Sequence, residues 1–193
     1  MVNVIEQISN SSFLYLRPWF YNNELALRCE LGFGNGDEYM DNAFSRAIQI
    51  ANILFENQKV DAAFYHQYFY NEASGQHGGI FSLNIDKTVD LDRKMLLDLD
   101  EIDDDISSVK RHISYDVDFF TLELILKSQI ECQINPLVSF VSLYNECIFS
   151  IYDDRGCDIV FFSKDKYKEF YFKLDKYLLD YDREKMKKTF DSI

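Results

Sequence analysis

Three apolar runs follow one another with only short polar links: Leu137 to Leu143, Cys147 to Tyr152, and Asp158 to Phe162. Strands joined that tightly leave no room for a crossover, so they pair antiparallel as a meander. The second link is the sharper of the two. Tyr152-Asp153-Asp154-Arg155-Gly156-Cys157-Asp158 puts an acidic turn and a glycine between apolar runs, the pattern of a β-hairpin. Asp153 and Asp154 suit the early positions of a type I turn, where short carboxylates bond to following amides. Gly156 suits the left-handed position that completes a bulged turn, with Arg155 at the apex or folded back on an aspartate.

Changes of period place the other elements. From Glu24 to Leu31 the residues Leu25, Leu27, Cys29 and Leu31 alternate with Glu24, Ala26, Arg28 and Glu30, which predicts a half-buried strand. Gly32-Phe33-Gly34-Asn35-Gly36 breaks it, and Asp37 is a candidate N-cap. Met40, Phe44, Ala47, Ile48, Ala51, Leu54 and Phe55 then recur at helical spacing to about Asn57. Val60 to Tyr70 and Ile80 to Ile85 read as strands, joined into a long hairpin by the polar loop Asn71 to Gly79. Asp86 to Asp105 holds nine acids against three bases and reads as a surface connection, with a short helix around Met95 to Leu99.

Ile113 to Phe119 predicts a further strand. Phe120 to Gln133 predicts a helix with the stripe Leu122, Ile125, Leu126 and Ile130, ended by Asn135-Pro136. Ser163 caps a long last helix with Tyr167, Phe170, Tyr171, Leu174, Tyr177, Leu178 and Tyr181 on one face, and Asp182 restarts a short helix through Phe190. Residues 1–193 are expected to form a single α+β domain, a largely antiparallel sheet packed by two or three helices. The acidic loop or short-helix segment at 86–105 is the one candidate linker.

The formal net charge is −13 and the pI near 4.6. That balance argues against a surface that tracks nucleic-acid phosphates or docks on anionic lipid, and for basic partners. The four cysteines, Cys29, Cys132, Cys147 and Cys157, form no C-x-x-C pair. Three of them fall in predicted strands, where a thiol behaves as a small buried hydrophobe, so free thiols in a reducing compartment are expected. The N-terminal residues lack a basic leader region, and no window reaches the ~18 uninterrupted apolar residues of a membrane span. A cytoplasmic location is the expectation.

Chemistry-bearing residues are few. Asp153, Asp154 and Asp158 form a carboxylate cluster at the hairpin, which reads either as turn chemistry or as a divalent-cation site. His66, His77 and His112 have no metal-ligand spacing; His77, in a glycine-bearing loop, is the better placed to act and is otherwise an ordinary loop histidine. Gly32, Gly34 and Gly36 fall one residue short of a dinucleotide fingerprint, with Asp37 where its third glycine belongs. Arg17-Pro18-Trp19-Phe20-Tyr21 is either a cover for the sheet or an exposed aromatic anchor. The run Asp98, Asp100, Glu101, Asp103, Asp104 and Asp105 is suited to steering a basic partner, and equally to a solvated loop.

Asn135-Pro136, Ile151 to Asp158, and Leu178-Leu179-Asp180-Tyr181-Asp182-Arg183-Glu184 together resemble an uncharacterised bacterial family, a domain of unknown function with a YDDRGCD hairpin and an LDYDRE tail. Leu27-Arg28-Cys29-Glu30-Leu31-Gly32 and Arg46-Ala47-Ile48 are also similar to it. The resemblance supplies no catalytic residues. It implies an intracellular bacterial protein, and some such small acidic proteins are immunity proteins encoded beside toxins. The expectation is therefore a non-catalytic protein that neutralises a cognate basic toxin of the contact-dependent type. It would need no cofactor, nucleic acid or membrane and would meet the toxin through Asp98 to Asp105. The alternatives are a metal-dependent enzyme using Asp153, Asp154 and Asp158, and an intracellular interaction protein of another kind.

Overall fold

The computed structural model describes residues 19–36, 38–56, 60–70, 83–91, 106–131 and 137–193. In chain order these form α1 (Trp19–Asn22), β1 (Ala26–Glu30), α2 (Glu38–Phe55), β2 (Val60–Tyr70), β3 (Lys87–Leu91), β4 (Ile106–Val117) and α3 (Phe119–Ile130). Then come β5 (Ser139–Ser142), β6 (Cys147–Asp153), β7 (Gly156–Phe161), α4 (Lys164–Lys173), two 3-10 turns (Asp175–Tyr177 and Asp180–Asp182) and α5 (Arg183–Ser192). The architecture is α+β. One seven-stranded sheet runs in the order β1-β7-β6-β5-β2-β4-β3, and every neighbouring pair is antiparallel.

The meander β5-β6-β7 forms where the short links require it. The middle of the chain is arranged differently from a long β2 hairpin. Val60 to Tyr70 pairs with β4 on one side and β5 on the other, while β3 joins the outside of β4. Of the expected strand Ile80 to Ile85, residues 80–82 lie outside the described residues and Leu83 to Ile85 carry no strand; the next described strand spans Lys87–Leu91, inside the acidic segment. Its burial alternates, with Lys87, Val89 and Leu91 half-buried and Thr88 and Asp90 exposed, as befits a charged edge strand that resists pairing with other chains. The expected short helix around Met95 to Leu99, the N-cap Asp37, Cys132 and Asn135-Pro136 lie outside the described residues.

Residues opposite one another in register share a face of the sheet. Leu27, Ile159 and Phe149 lie on one face, and all are fully buried. There Phe55 of α2 meets Phe149 edge-on at 6.3 Å, and Phe170 of α4 stacks on Phe161 at 5.4 Å. Helix α3 packs against α2 and buries Leu122, Ile125, Leu126 and Ile130 as its stripe predicts. Its start is fixed by Asp118, whose Oδ1 accepts from the Thr121 amide at 2.8 Å.

The other face carries Arg28, Asp158 and Ser150. Alternation along β1 assigns Ala26 and Arg28 to solvent, yet both are buried. The reason is tertiary: α1 lies over β1 and β7, and the C-terminal residues wrap the free edge of β1. Leu178 bridges to Cys29, and the Leu179 amide donates to the Arg28 carbonyl at 2.9 Å. The long last helix is divided for the same reason. Ser163 caps α4 as expected, but the helix stops at Lys173 so that Leu178 can reach β1, which leaves Tyr181 86% exposed.

Candidate functional site

Arg28 is the centre of a large buried polar assembly on this face of the sheet. Its Nε and a terminal nitrogen donate to the two oxygens of Asp158, at 2.7 and 2.8 Å. The fork geometry of a guanidinium matches a carboxylate edge, which makes this the strongest arrangement for such a pair. Asp158 also accepts from the Phe20 amide at 3.3 Å, and Asp182 stands 3.8 Å from the guanidinium while accepting from the Tyr21 hydroxyl at 3.1 Å. Three rings enclose the guanidinium, Phe20, Tyr21 and Tyr152, with centroids 5.0, 4.7 and 5.0 Å away. Five segments thus meet on one cation: α1, β1, β6, β7 and the turn before α5.

Burial shapes the ionisation of these groups. It pushes the Asp158 carboxyl above the usual carboxylate range, against the opposing pull of Arg28. It also pushes the Tyr152 hydroxyl upward, and Tyr21 is raised by burial and by its bond to Asp182. Arg28 itself is held protonated: Asp158 more than offsets the desolvation of its guanidinium.

Beside this assembly lies a cavity of about 770 Å³, lined among others by Arg28, Glu30, Tyr39, Tyr152, Asp153 and Leu179. Two glycines pack closely beside it. Gly32 sits against the Tyr39 phenol, and a Cβ there would overlap that ring. Gly156 is packed by Tyr152 and by the Cys29 carbonyl, which a Cβ would approach to 2.7 Å. This is a correction to the expected left-handed turn position. Among the described glycines only Gly34 and Gly36 have positive φ, so Gly156 is required by close approach instead.

The hairpin tip is held by its own side chains. Asp153 accepts from the Arg155 amide and from its Nε, both at 2.8 Å, and Arg155 folds back onto it as the turn chemistry allows. The register of β6 against β7 shifts between Ile151 and Asp153. The Arg155 carbonyl accepts from Leu31 at 2.8 Å, tying the tip to the end of β1, and burial together with the nearby Asp154 raises the pKa of the Tyr39 hydroxyl.

Two of the three hairpin carboxylates are engaged separately, Asp153 by Arg155 and Asp158 by Arg28, while Asp154 lies near Tyr39. No group of three or more His, Cys, Asp or Glu suited to a metal ion occurs among the described residues. His112 lies between Thr88 Oγ1 at 2.9 Å and Gln67 Oε1 at 2.8 Å, and His66 accepts from Arg111 Nε at 3.0 Å. Both are packed strand residues. Phe20 is core cover, 1% exposed, while its neighbour Tyr21 is 47% exposed. Cys29 and Cys157 face one another across β1 and β7 as buried free thiols, as is Cys147. His77 and the acidic run Asp98, Asp100, Glu101, Asp103, Asp104 and Asp105 lie outside the described residues.

Arg28, Tyr39 and Asp182 are the site residues that the sequence pattern does not single out. Arg28 occupies a polar slot in an alternating strand, and only its pairing with distant Asp158 marks it as buried. The segments Leu27 to Gly32, Ile151 to Asp158 and Leu178 to Glu184, far apart in the chain, converge around the same cavity.

One family model, described as Domain of unknown function (DUF3885), matches residues 5–182. No curated protein and no solved structure matches the chain. No helix of the described residues is long and apolar enough to cross a membrane.

Proposed function

The chain belongs to the DUF3885 family, and we propose that it acts as a non-catalytic immunity-type protein that binds and neutralises a basic bacterial toxin in the cytoplasm. The observation that carries this reading is the charge of −13, which attracts a basic partner and speeds its encounter. The pairing of the charged groups around the cavity also favours binding over chemistry. Arg28 and Asp158 are committed to each other, as are Arg155 and Asp153, and such pairs hold a surface in shape without offering a free acid or base. The acidic run Asp98 to Asp105 supplies the steering charge in this proposal.

The test is co-expression with the product of the adjacent gene. Growth arrest by that product should be relieved by this chain, and the purified pair should associate on the order of tenfold or more faster at low than at high salt. Replacing Asp98, Asp100, Asp103, Asp104 and Asp105 by Asn should remove most of that salt dependence. Absence of both protection and a complex overturns the reading.

A further inference from the structure

We propose that the cavity between Tyr39 and Tyr152 is a binding site for an organic cation, an alkyl guanidinium or ammonium, with Glu30 as the carboxylate that receives it. The site deepens the proposed function and rests on it in one respect: the natural occupant is an Arg or Lys side chain of the neutralised partner.

The argument begins with which acids are already satisfied. Of the three carboxylates lining the cavity, Asp158 accepts two hydrogen bonds from Arg28 and one from the Phe20 amide. Asp153 accepts from the backbone and side chain of Arg155. Glu30 is different. Its one ion pair among the described residues is with Arg46 at 3.8 Å, outside hydrogen-bond reach, and its side chain is 47% exposed. Arg46 meanwhile is held elsewhere, under the rings of Phe33 and Tyr177 and against the Lys176 carbonyl. The cavity therefore presents one carboxylate with unused acceptor capacity.

The walls suit the rest of such a ligand. Leu137 and Leu179 offer apolar surface for a methylene stem, and Tyr39 and Tyr152 offer aromatic surface for a cation. Tyr152 already stacks on one guanidinium, that of Arg28. The two cations at the cavity are neutralised in place: Arg28 by Asp158 with Asp182 nearby, and Arg155 by Asp153. An anionic ligand would have to compete with Asp158 and Asp153 for these guanidinium groups. The volume of about 770 Å³ lies within the range of small-ligand sites and exceeds what one side chain needs, which leaves room for its flanking backbone. Gly32 leaves room for the Tyr39 ring, and a Cβ there would force that ring to shift.

The experiment is an NMR titration of the full chain with L-arginine amide, with L-citrulline amide as the neutral isostere. Saturable shifts confined to the cavity residues are expected for arginine amide and none for citrulline amide. Glu30→Gln, at a half-exposed position, should fold normally and weaken binding by about tenfold, the size of one charge-assisted hydrogen bond. Gly32→Ala, which displaces Tyr39, should weaken it as well. Equal response to both amides, unchanged affinity in Glu30→Gln, or shifts scattered over the acidic surface overturns the site. A second arm compares Glu30→Gln with the unaltered chain in the growth-protection assay. Loss of protection identifies the cation as the partner's side chain. Retained protection with lost arginine-amide binding assigns the site to a free small cation, and lost arginine-amide response in an unaltered chain that still protects overturns the site while leaving the toxin-binding function standing.

Discussion

Two buried arginines stand at opposite ends of one sheet and are accommodated in different ways. Arg111 on β4 donates from Nε to His66, its direct register partner on β2, and lies 5.3 Å from the Phe64 ring. That contact joins strands that are already neighbours. Arg28 on β1 also bonds its register partner, Asp158 on β7, but it then gathers Asp182, Tyr21, Phe20 and Tyr152 from three further parts of the chain. The Nε contact of the first stays within one ladder; the second ties an edge strand to the helix and turn that cover it. A buried ion pair of this kind adds little net stability over an apolar replacement, yet breaking it from one side is costly because a charge is left behind.

That contrast can be broken most directly at Arg28. Arg28→Met leaves Asp158 and Asp182 buried without their cation, and should lower unfolding stability in urea by about 3–5 kcal/mol. Adding Asp158→Leu to Arg28→Met should recover a large part of that loss, and a double variant no more stable than the single would show that the pair contributes more than mutual compensation.

Close packing around the same knot is the next test. Gly156→Ala drives a Cβ against Tyr152 and the Cys29 carbonyl, at a cost of about 1–3 kcal/mol in the same measurement. A neutral outcome would mean that the tip shifts freely, and that the β1 end is no more rigid than the other.

The smallest effect belongs to the far end of the sheet. Burial and Lys110 hold His112 below its ordinary value of 6.5, so the unfolded chain binds the proton more readily than the folded one. Stability contributed by the neutral imidazole is present above pH 6.5 and declines as pH falls through that value toward the lower folded one. Thermal midpoints measured at neutral and mildly acidic pH should converge in His112→Gln, and an unchanged pH slope in that variant would remove His112 from the account.

The parts of the fold that the sequence makes legible are those held by near neighbours. The β5-β6-β7 meander follows from short links, and α2, α3 and α4 follow from their apolar stripes and caps. What stayed hidden depends on distant partners. The alternation of β1 marks Arg28 as solvent-facing because α1 and residues 178–182, which bury it, are not adjacent in sequence. Strand β3 carries a weak period of two in Lys87, Val89 and Leu91, but its charges resemble those of a loop. The hairpin was visible from its turn residues, whereas the cavity beside it was not. A cavity is made by the ring of Tyr39 from α2 and by Leu179 from the C-terminal turn, and no local pattern encodes their meeting.

The dependence of β1 on β7 and Leu178 has a consequence for biosynthesis. The register partners of β1 at residues 156–160 and its edge cover at 178–179 leave the ribosome more than a hundred residues after β1 itself. At ordinary elongation speeds that interval is on the order of ten seconds. Throughout it Leu27 and Cys29 have no sheet to enter and Arg28 has no carboxylate to meet. Of the described strands, β1 is therefore the one a chaperone would have most time to hold, and the C-terminal residues act as the latch that ends that wait.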